Sequence, residues 1–320
     1  MGGAQETRDG VGLTNLDQPL LAGGEVTKRD LVDYLDAVRD RILPGLHDRP
    51  LSVVRLLRGQ EPFMQKNLPT YTPEWVRRTA IWAETSHRQV SYALCDDRRT
   101  LLWFANQRAV EYHPALVTAT HPERPTHLVL DLDPPEGDAF PAVARVAGAV
   151  RRALADVGLV GAVKTSGVKG LHIFVPVHPD TSAEEVAAAT RALAVHTERL
   201  DPESATTAFI REDRGGRVFV DPTRSGGATV VAAYSPRLRP GLPVSFPVAW
   251  DDLDAVTPGD FTVRAVPALL GDRDPWAGAM PAPQRLPVDL VAEGRTIPVP
   301  RVQAMHEGKR RAKARRETGH

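Results

Sequence analysis

The chain has 320 residues, with 40 Lys and Arg against 40 Asp and Glu, and 42% of its residues are hydrophobic. That length suits one large buried core or two small ones, and zero formal net charge leaves only local clusters to argue for a polyanionic partner. No apolar run reaches the roughly 18 residues of a membrane span and the first residues lack a secretory signal, so cytoplasmic residence with no membrane contact is expected; the chain is also expected to be a monomer.

In chain order, Leu31, Leu35, Val38 and Ile42 recur at spacings of three and four behind Thr27, which predicts an N-capped helix over residues 28–42. Residues 51–57 and 90–95 read as strands and 101–110 as a short helix. The single cysteine, Cys95, excludes an internal disulfide and reads as a buried thiol. Residues 126–133 alternate and stop at Pro134-Pro135, after which small and apolar residues predict a helix over 140–157, closed by Gly158. Strands around 162–164 and 171–177 flank a Gly-containing turn, a helix is expected over 183–199, and further strands over 217–221 and 228–233. The mixture lacks a strict βαβ rhythm and predicts an α+β fold. The expected organisation is one catalytic domain over residues 15–287 and a polar, poorly ordered tail over 288–320. The basic run from Lys309 to Arg316 in that tail reads equally as solvated or phosphate-binding.

The chemistry begins at Asp131 and Asp133. Side chains two apart on a strand share a face, so Leu128, Leu130 and Leu132 can enter the core while the two carboxylates emerge together at the strand end. Like charges about 4 Å apart repel by on the order of a kilocalorie or more, and a divalent cation removes that cost. Alone, Asp-x-Asp also fits a solvated turn. The hairpin from Lys164 to His172 adds Ser166, Lys169, His172 and two glycines, groups suited to a triphosphate, although an ordinary Gly-x-x-Gly turn reads the same way. Asp221 ends another strand and Pro222 stops it as Pro134 does, with Arg224, Arg237 and Arg239 following.

These runs, together with Asn15-Leu16-Asp17, Phe63-Met64-Gln65-Lys66-Asn67, Leu102-Trp103-Phe104-Ala105-Asn106, Glu111-Tyr112-His113-Pro114 and the stretch from Ala228-Thr229 to Arg237, resemble the signature blocks of ligase D polymerase domains in the archaeo-eukaryotic primase superfamily. The resemblance covers roughly residues 15–285. It implies a primase-polymerase core of two packed β-sheet lobes flanked by helices, with the active site in the cleft between them. It further implies a DNA or RNA polymerase that adds nucleotides to a primer 3′-hydroxyl at gaps or broken ends. Asp131, Asp133 and Asp221 would hold two divalent cations, Mn²⁺ preferred or Mg²⁺. Ser166, Lys169, His172, Arg237, His113, Arg224 and Thr229 would bind the ribo- or deoxyribonucleoside triphosphate, and Lys28, Phe63, Met64 and Lys66 the gapped or broken duplex. End-joining proteins are the implied partners, and a stand-alone polymerase without its own ligase is expected.

Three positions depart from the family pattern. Gln18 stands where a lysine commonly partners Lys28 at the 5′-phosphate of a gap, Met64 replaces a second aromatic, and Pro222-Thr223-Arg224-Ser225 replaces Tyr-Leu-Arg-Asn. A DNA-end binding factor with little synthesis, a primase and an Asp-nucleophile phosphatase are the competing readings. The last lacks the expected residues after Asp133, where Pro134-Pro135 stands.

Overall fold

Local sequence signals account for most element boundaries in the computed structural model, which describes residues 6–21, 23–24, 26–83, 87–137, 139–224 and 228–299. A small hairpin, β1 (Thr7–Arg8) and β2 (Val11–Gly12), precedes α1 (Lys28–Ala37), where Thr27 and Asp30 form a reciprocal capping box. The helix expected over 28–42 is two helices. Val38 leaves helical dihedrals at φ −98° and ψ 8°, and α2 (Arg39–Leu46) resumes beyond it. The kink keeps Leu31, Leu35, Ile42 and Leu46 in the core, so apolar spacing could not reveal it.

The front of the chain continues through β3 (Leu51–Arg55), β4 (Phe63–Gln65), the hairpin β5 (Arg78–Ala83) and β6 (Arg88–Ala93), α3 (Arg98–Asn106) and β7 (Ala109–Pro114). The helix expected over 101–110 stops early because Arg108, at φ 59°, turns the chain into β7. β3 pairs with β4, β6 and β7 in a five-stranded sheet. Cys95 is a buried free thiol just beyond β6.

The second sheet is built from β8 (His127–Asp133), β9 (Ala162–Thr165), β10 (Leu171–Pro176), β11 (Ala205–Thr206), β12 (Val218–Asp221) and β13 (Pro247–Val248), in the order β11-β12-β8-β10-β9-β13. Two long helices, α4 (Phe140–Asp156) and α5 (Ala183–Leu200), cover one face, and Leu128, Leu130, Leu132, Leu171, Ile173 and Val175 are buried there. Each such side chain contributes roughly 1.5–3 kcal/mol on leaving water. The alternate residues Val129, Asp131, Asp133, His172 and Phe174 are thereby committed to the opposite face. The fold is α+β with two sheet lobes, as the sequence predicts.

Two further expectations change. Residues 228–233 form no regular strand, although the amides of Leu116, Val230 and Ala232 bond to or from them along β7. Pro114 has no N–H to return, and the Tyr112 amide donates to the Ser235 hydroxyl instead, so each would-be pair keeps one bond. The segment assigned to a poorly ordered tail starts as a helix: after the short α6 (Val266–Leu270) and α7 (Pro275–Ala279), α8 (Val288–Thr296) packs on α5. Leu290 and Val291 are buried, and the Arg191 guanidinium donates to the Gly294 carbonyl at 3.1 Å. The basic run lies outside the described residues. Among the described residues, no helix is long and apolar enough to cross a membrane.

Candidate active site

Strand register assembles a line of titratable groups across the larger sheet. Asp221 on β12 pairs with Asp131 on β8, Asp131 with His172 on β10, and His172 with Lys164 on β9. Asp133 lies two residues along β8 on the same face, opposite Phe219. Three acids separated by up to ninety positions in the chain therefore end on adjacent strands.

Arg224 lies between two of them, its Nε 3.1 Å from Asp131 Oδ2 and 3.5 Å from Asp221 Oδ2. His172 Nε2 approaches Asp131 Oδ1 at 3.3 Å. Burial opposes ionisation of Asp131, yet the contacts from His172 and Arg224 outweigh it and hold its pKa down to about 2. Asp133 goes the other way. Burial first, then the charges of Asp131 and Asp221, push its pKa up to about 6. Among the described residues no set of three His, Cys, Asp or Glu has the spacing of a formed metal cage. The donor chemistry nevertheless fits hard divalent cations: three carboxylates lie on adjacent strands of one sheet, and the one not contacted by Arg224 has its pKa raised by burial and by the charge of the other two.

Lys164 is a member that its sequence position did not single out. It is fully buried, with Nζ 2.8 Å from His172 Nδ1 and donating to Ser245 Oγ at 2.6 Å. Burial, and then the Arg237 charge, hold its pKa well below the usual lysine range. The Asp131 carboxylate requires a proton on His172 Nε2, so Nδ1 is the acceptor and Lys164 the donor. Burial and Lys164 lower the His172 pKa to about 4, leaving the ring neutral with its N–H on the acid side.

The turn between β9 and β10 is shaped by two close approaches. A Cβ at Gly170 would meet the Leu132 carbonyl oxygen at 2.2 Å, and one at Gly167, which has φ 75°, would meet Arg237 Cγ at 2.6 Å. Ser166 Oγ accepts from the amides of Val168 and Gly170, and Arg237 Nη1 donates to the Ser166 carbonyl at 2.5 Å. Lys169 is exposed at the tip.

Glu111, also unassigned from sequence, ties the lobes together. From β7 its Oε2 lies 2.8 Å from His113 Nε2 and 3.1 Å from Arg237 Nε, and its Oε1 accepts from the Leu238 amide. Burial alone would raise its pKa, but these partners hold it to about 2. Arg214 is the other unassigned cation: it covers the Phe219 ring at 4.0 Å, and burial lowers its pKa against the opposing charges of Asp133 and Asp221. Only alternation and distance in three dimensions single out these residues, because an isolated Glu or Lys on a strand carries no motif.

The remaining predicted residues lie outside this cluster. Phe63 and Met64 are 37% and 46% exposed on β4, with Lys66 exposed beside them, and Phe63 faces the Arg55 guanidinium at 5.9 Å. Thr229 bridges Ala115 next to β7, and Lys28 sits in a separate pocket of the smaller lobe.

A family model described as LigD, primase-polymerase domain, matches residues 27–276. The bifunctional non-homologous end joining protein LigD of Bacillus subtilis (strain 168) is 32% identical over 258 residues, covering 79% of this chain and 41% of that protein. The multifunctional non-homologous end joining protein LigD of Mycobacterium bovis is 35% identical over 267 residues, with 79% and 34% covered. This chain thus spans about two fifths or less of the length of these relatives. Among solved structures, the polymerase domain from Mycobacterium tuberculosis ligase D in complex with DNA superposes with a TM-score of 0.76 at 32% identity, over 82% of this chain and 95% of that one.

Proposed function

The chain belongs to the LigD primase-polymerase family, and from that premise we propose that it is a template-directed nucleotidyltransferase that extends a primer 3′-hydroxyl at gaps or broken ends of DNA. The observation that carries the reading is the register line Asp221–Asp131–His172–Lys164, with Asp133 beside it and the Ser166 hairpin at its end. The relatives' names associate them with non-homologous end joining, and end or gap repair alongside end-joining proteins is the role proposed here.

In this reading the primer 3′-oxygen bonds to the α-phosphorus of the incoming nucleotide and the α–β bridge breaks to release pyrophosphate. Asp131, Asp133 and Asp221 would hold two divalent cations, Mn²⁺ or Mg²⁺, which supply Lewis-acid charge to the attacking hydroxyl and the leaving group. Neutral His172 would share its Nε2 proton between Asp131 and a phosphate oxygen, and Lys169, Ser166 and Arg237 would receive the triphosphate. His113, held by Glu111, and Thr229 stand near the sugar. Phe63 with Met64 supports template bases, and Lys66 the strand phosphates.

Primer extension with Mn²⁺ or Mg²⁺ and each nucleotide type tests the proposal. Asp131→Ala and Asp133→Ala should each lose at least about a hundredfold in rate, and undiminished extension by either defeats the metal assignment. The Arg224 guanidinium between Asp131 and Asp221 favours a second reading, a DNA-end binding factor with weak synthesis. That reading predicts duplex binding without metal-dependent turnover. The same assay run without primer reports primase activity.

A further inference from the structure

A cavity of about 260 Å³ lies at the junction of the two lobes, on the sheet face that carries the acids but toward the opposite end of β8, where His127 stands. Its apolar walls are Ile42 from α2, Leu116 from just beyond β7, Phe174 from β10, Val230, and Trp276 and Met280 from α7 and its end. Leu116, Phe174 and Val230 form with Val129 an apolar cluster separate from the main core, and Trp276 and Met280 pack against it. Phe174 meets Trp276 edge-on at 5.3 Å and His127 edge-on at 5.6 Å. Apolar walls around a gap lose packing partners and offer water no hydrogen bonds, so an apolar occupant is favoured there.

Four polar side chains, Arg41, Arg49, His127 and Asp274, complete the lining. Asp274 is already engaged: its Oδ1 accepts from the Tyr234 hydroxyl at 2.6 Å and from the amides of Trp276 and Ala277. Arg41 donates to the carbonyls of Gly271 and Arg273. Arg49 is less well served. Its Nη1 donates to the Ala115 carbonyl at 3.1 Å, and among the described residues no carboxylate forms an ion pair with it. Burial lowers its pKa, opposed only by the Asp48 charge.

His127 contributes an acceptor and no second charge. Thr126 Oγ1 donates to the Leu116 carbonyl at 3.1 Å, so the ring donates from Nδ1 to that hydroxyl at 2.8 Å and Nε2 keeps its lone pair. Burial and the Arg49 charge lower the ring's pKa to about 3. Two guanidiniums against one carboxylate leave the lining with a single positive charge in excess. One ligand carboxylate neutralises it, and the guanidinium fork suits that group.

We propose that this cavity binds a small planar aromatic monocarboxylate, with its ring among Phe174, Trp276 and Met280 and its carboxylate on Arg49. The volume is at the small end for ligand pockets, and edge-to-face ring contacts suit an aromatic body. Phe174 stands two residues from His172 on the same face of β10, and Lys164 Nζ lies 5.4 Å from its ring centre, so the bound ring would back onto the line of active-site groups. None of the lining residues has a part in the proposed polymerase chemistry, so the site stands or falls apart from that reading.

Isothermal titration calorimetry of the full chain with indole-3-carboxylate, and with indole-3-carboxamide as an uncharged control of the same shape, tests the assignment. The acid should bind with a dissociation constant below about 1 mM and the carboxamide about tenfold or more weakly. Arg49→Met should lose about tenfold or more for the acid while the carboxamide stays within about twofold of wild type. Should that variant not fold, Met280→Glu puts a fixed carboxylate on the half-buried wall and should weaken the acid by a similar factor. Lys169→Ala, at the triphosphate hairpin, should bind the acid as wild type does. No binding of the acid, equal binding of acid and carboxamide, undiminished binding by the Arg49 or Met280 variant, or a matching loss in Lys169→Ala overturns the proposal.

Discussion

Lys164 Nζ lies 2.8 Å from His172 Nδ1, and neither side chain is more than 5% exposed. A lysine forced toward neutrality by burial thus meets the ring nitrogen that the Asp131 carboxylate leaves without a proton, and helps to hold that ring neutral. Lys164→Met should let the His172 pKa climb from about 4 toward the ordinary histidine value. The His172 ring resonances followed against pH would report it. Loss of the amine also leaves Ser245 Oγ short of a donor in the core, and a destabilisation of about 1–3 kcal/mol is expected from denaturant unfolding. A His172 titration that stays put would show that Lys164 does not govern the ring.

Asp133 offers a metal-dependent reversal. Its folded pKa, about 6, lies above its ordinary value, so the fold is penalised once the carboxyl ionises: stability is fully present below about pH 4 and lost as pH rises through 6. Asp133→Asn should therefore be more stable than wild type without divalent cations at pH 7.5, by about 2 kcal/mol, with the difference gone at pH 4. Mn²⁺ should raise the melting temperature of wild type and much less that of the variant. Equal Mn²⁺ shifts in both proteins would remove Asp133 from the ligand set.

Glu111 positions two predicted nucleotide ligands at once, His113 at 2.8 Å and Arg237 at 3.1 Å. Glu111→Gln keeps the shape and removes the charge. The expected result is a rise of about tenfold or more in KM for the nucleotide, since hydrogen bonds to charged groups contribute about 1.5–3 kcal/mol. An unchanged KM with intact folding would reduce Glu111 to a brace between the lobes.

Phe63 and Met64 stand exposed on an edge of the smaller sheet. Stacking of a base on an aromatic ring is worth about 1–3 kcal/mol, so Phe63→Ala should weaken primer-template binding by roughly five- to a hundredfold and Met64→Phe should strengthen it. Fluorescence anisotropy with a recessed template measures both, and indifference to both changes would move the template elsewhere.

Much of this was legible in one dimension. Period-two alternation over residues 126–133 put Asp131 and Asp133 on one face, and Pro134 and Pro222 ended strands just past an acid. The turn with Gly167 and Gly170 was readable because the chain can approach Leu132 and Arg237 so closely only where no Cβ intervenes. The kink at Val38 and the docking of α8 were not legible. Apolar spacing of three and four survives a kink, and the polar residues of 288–296 hide the two apolar contacts that hold that helix.

Sequence by itself determined most of the elements, the placement of the acids at strand ends and the hairpin, since each follows from local sterics and alternation. Tertiary structure alone decided that Asp221, Asp131, His172 and Lys164 stand side by side and that Glu111 reaches Arg237. Which strands become neighbours, and in what register, depends on how distant apolar faces are buried together. The charge state of each group then depends on how far that burial removes it from water.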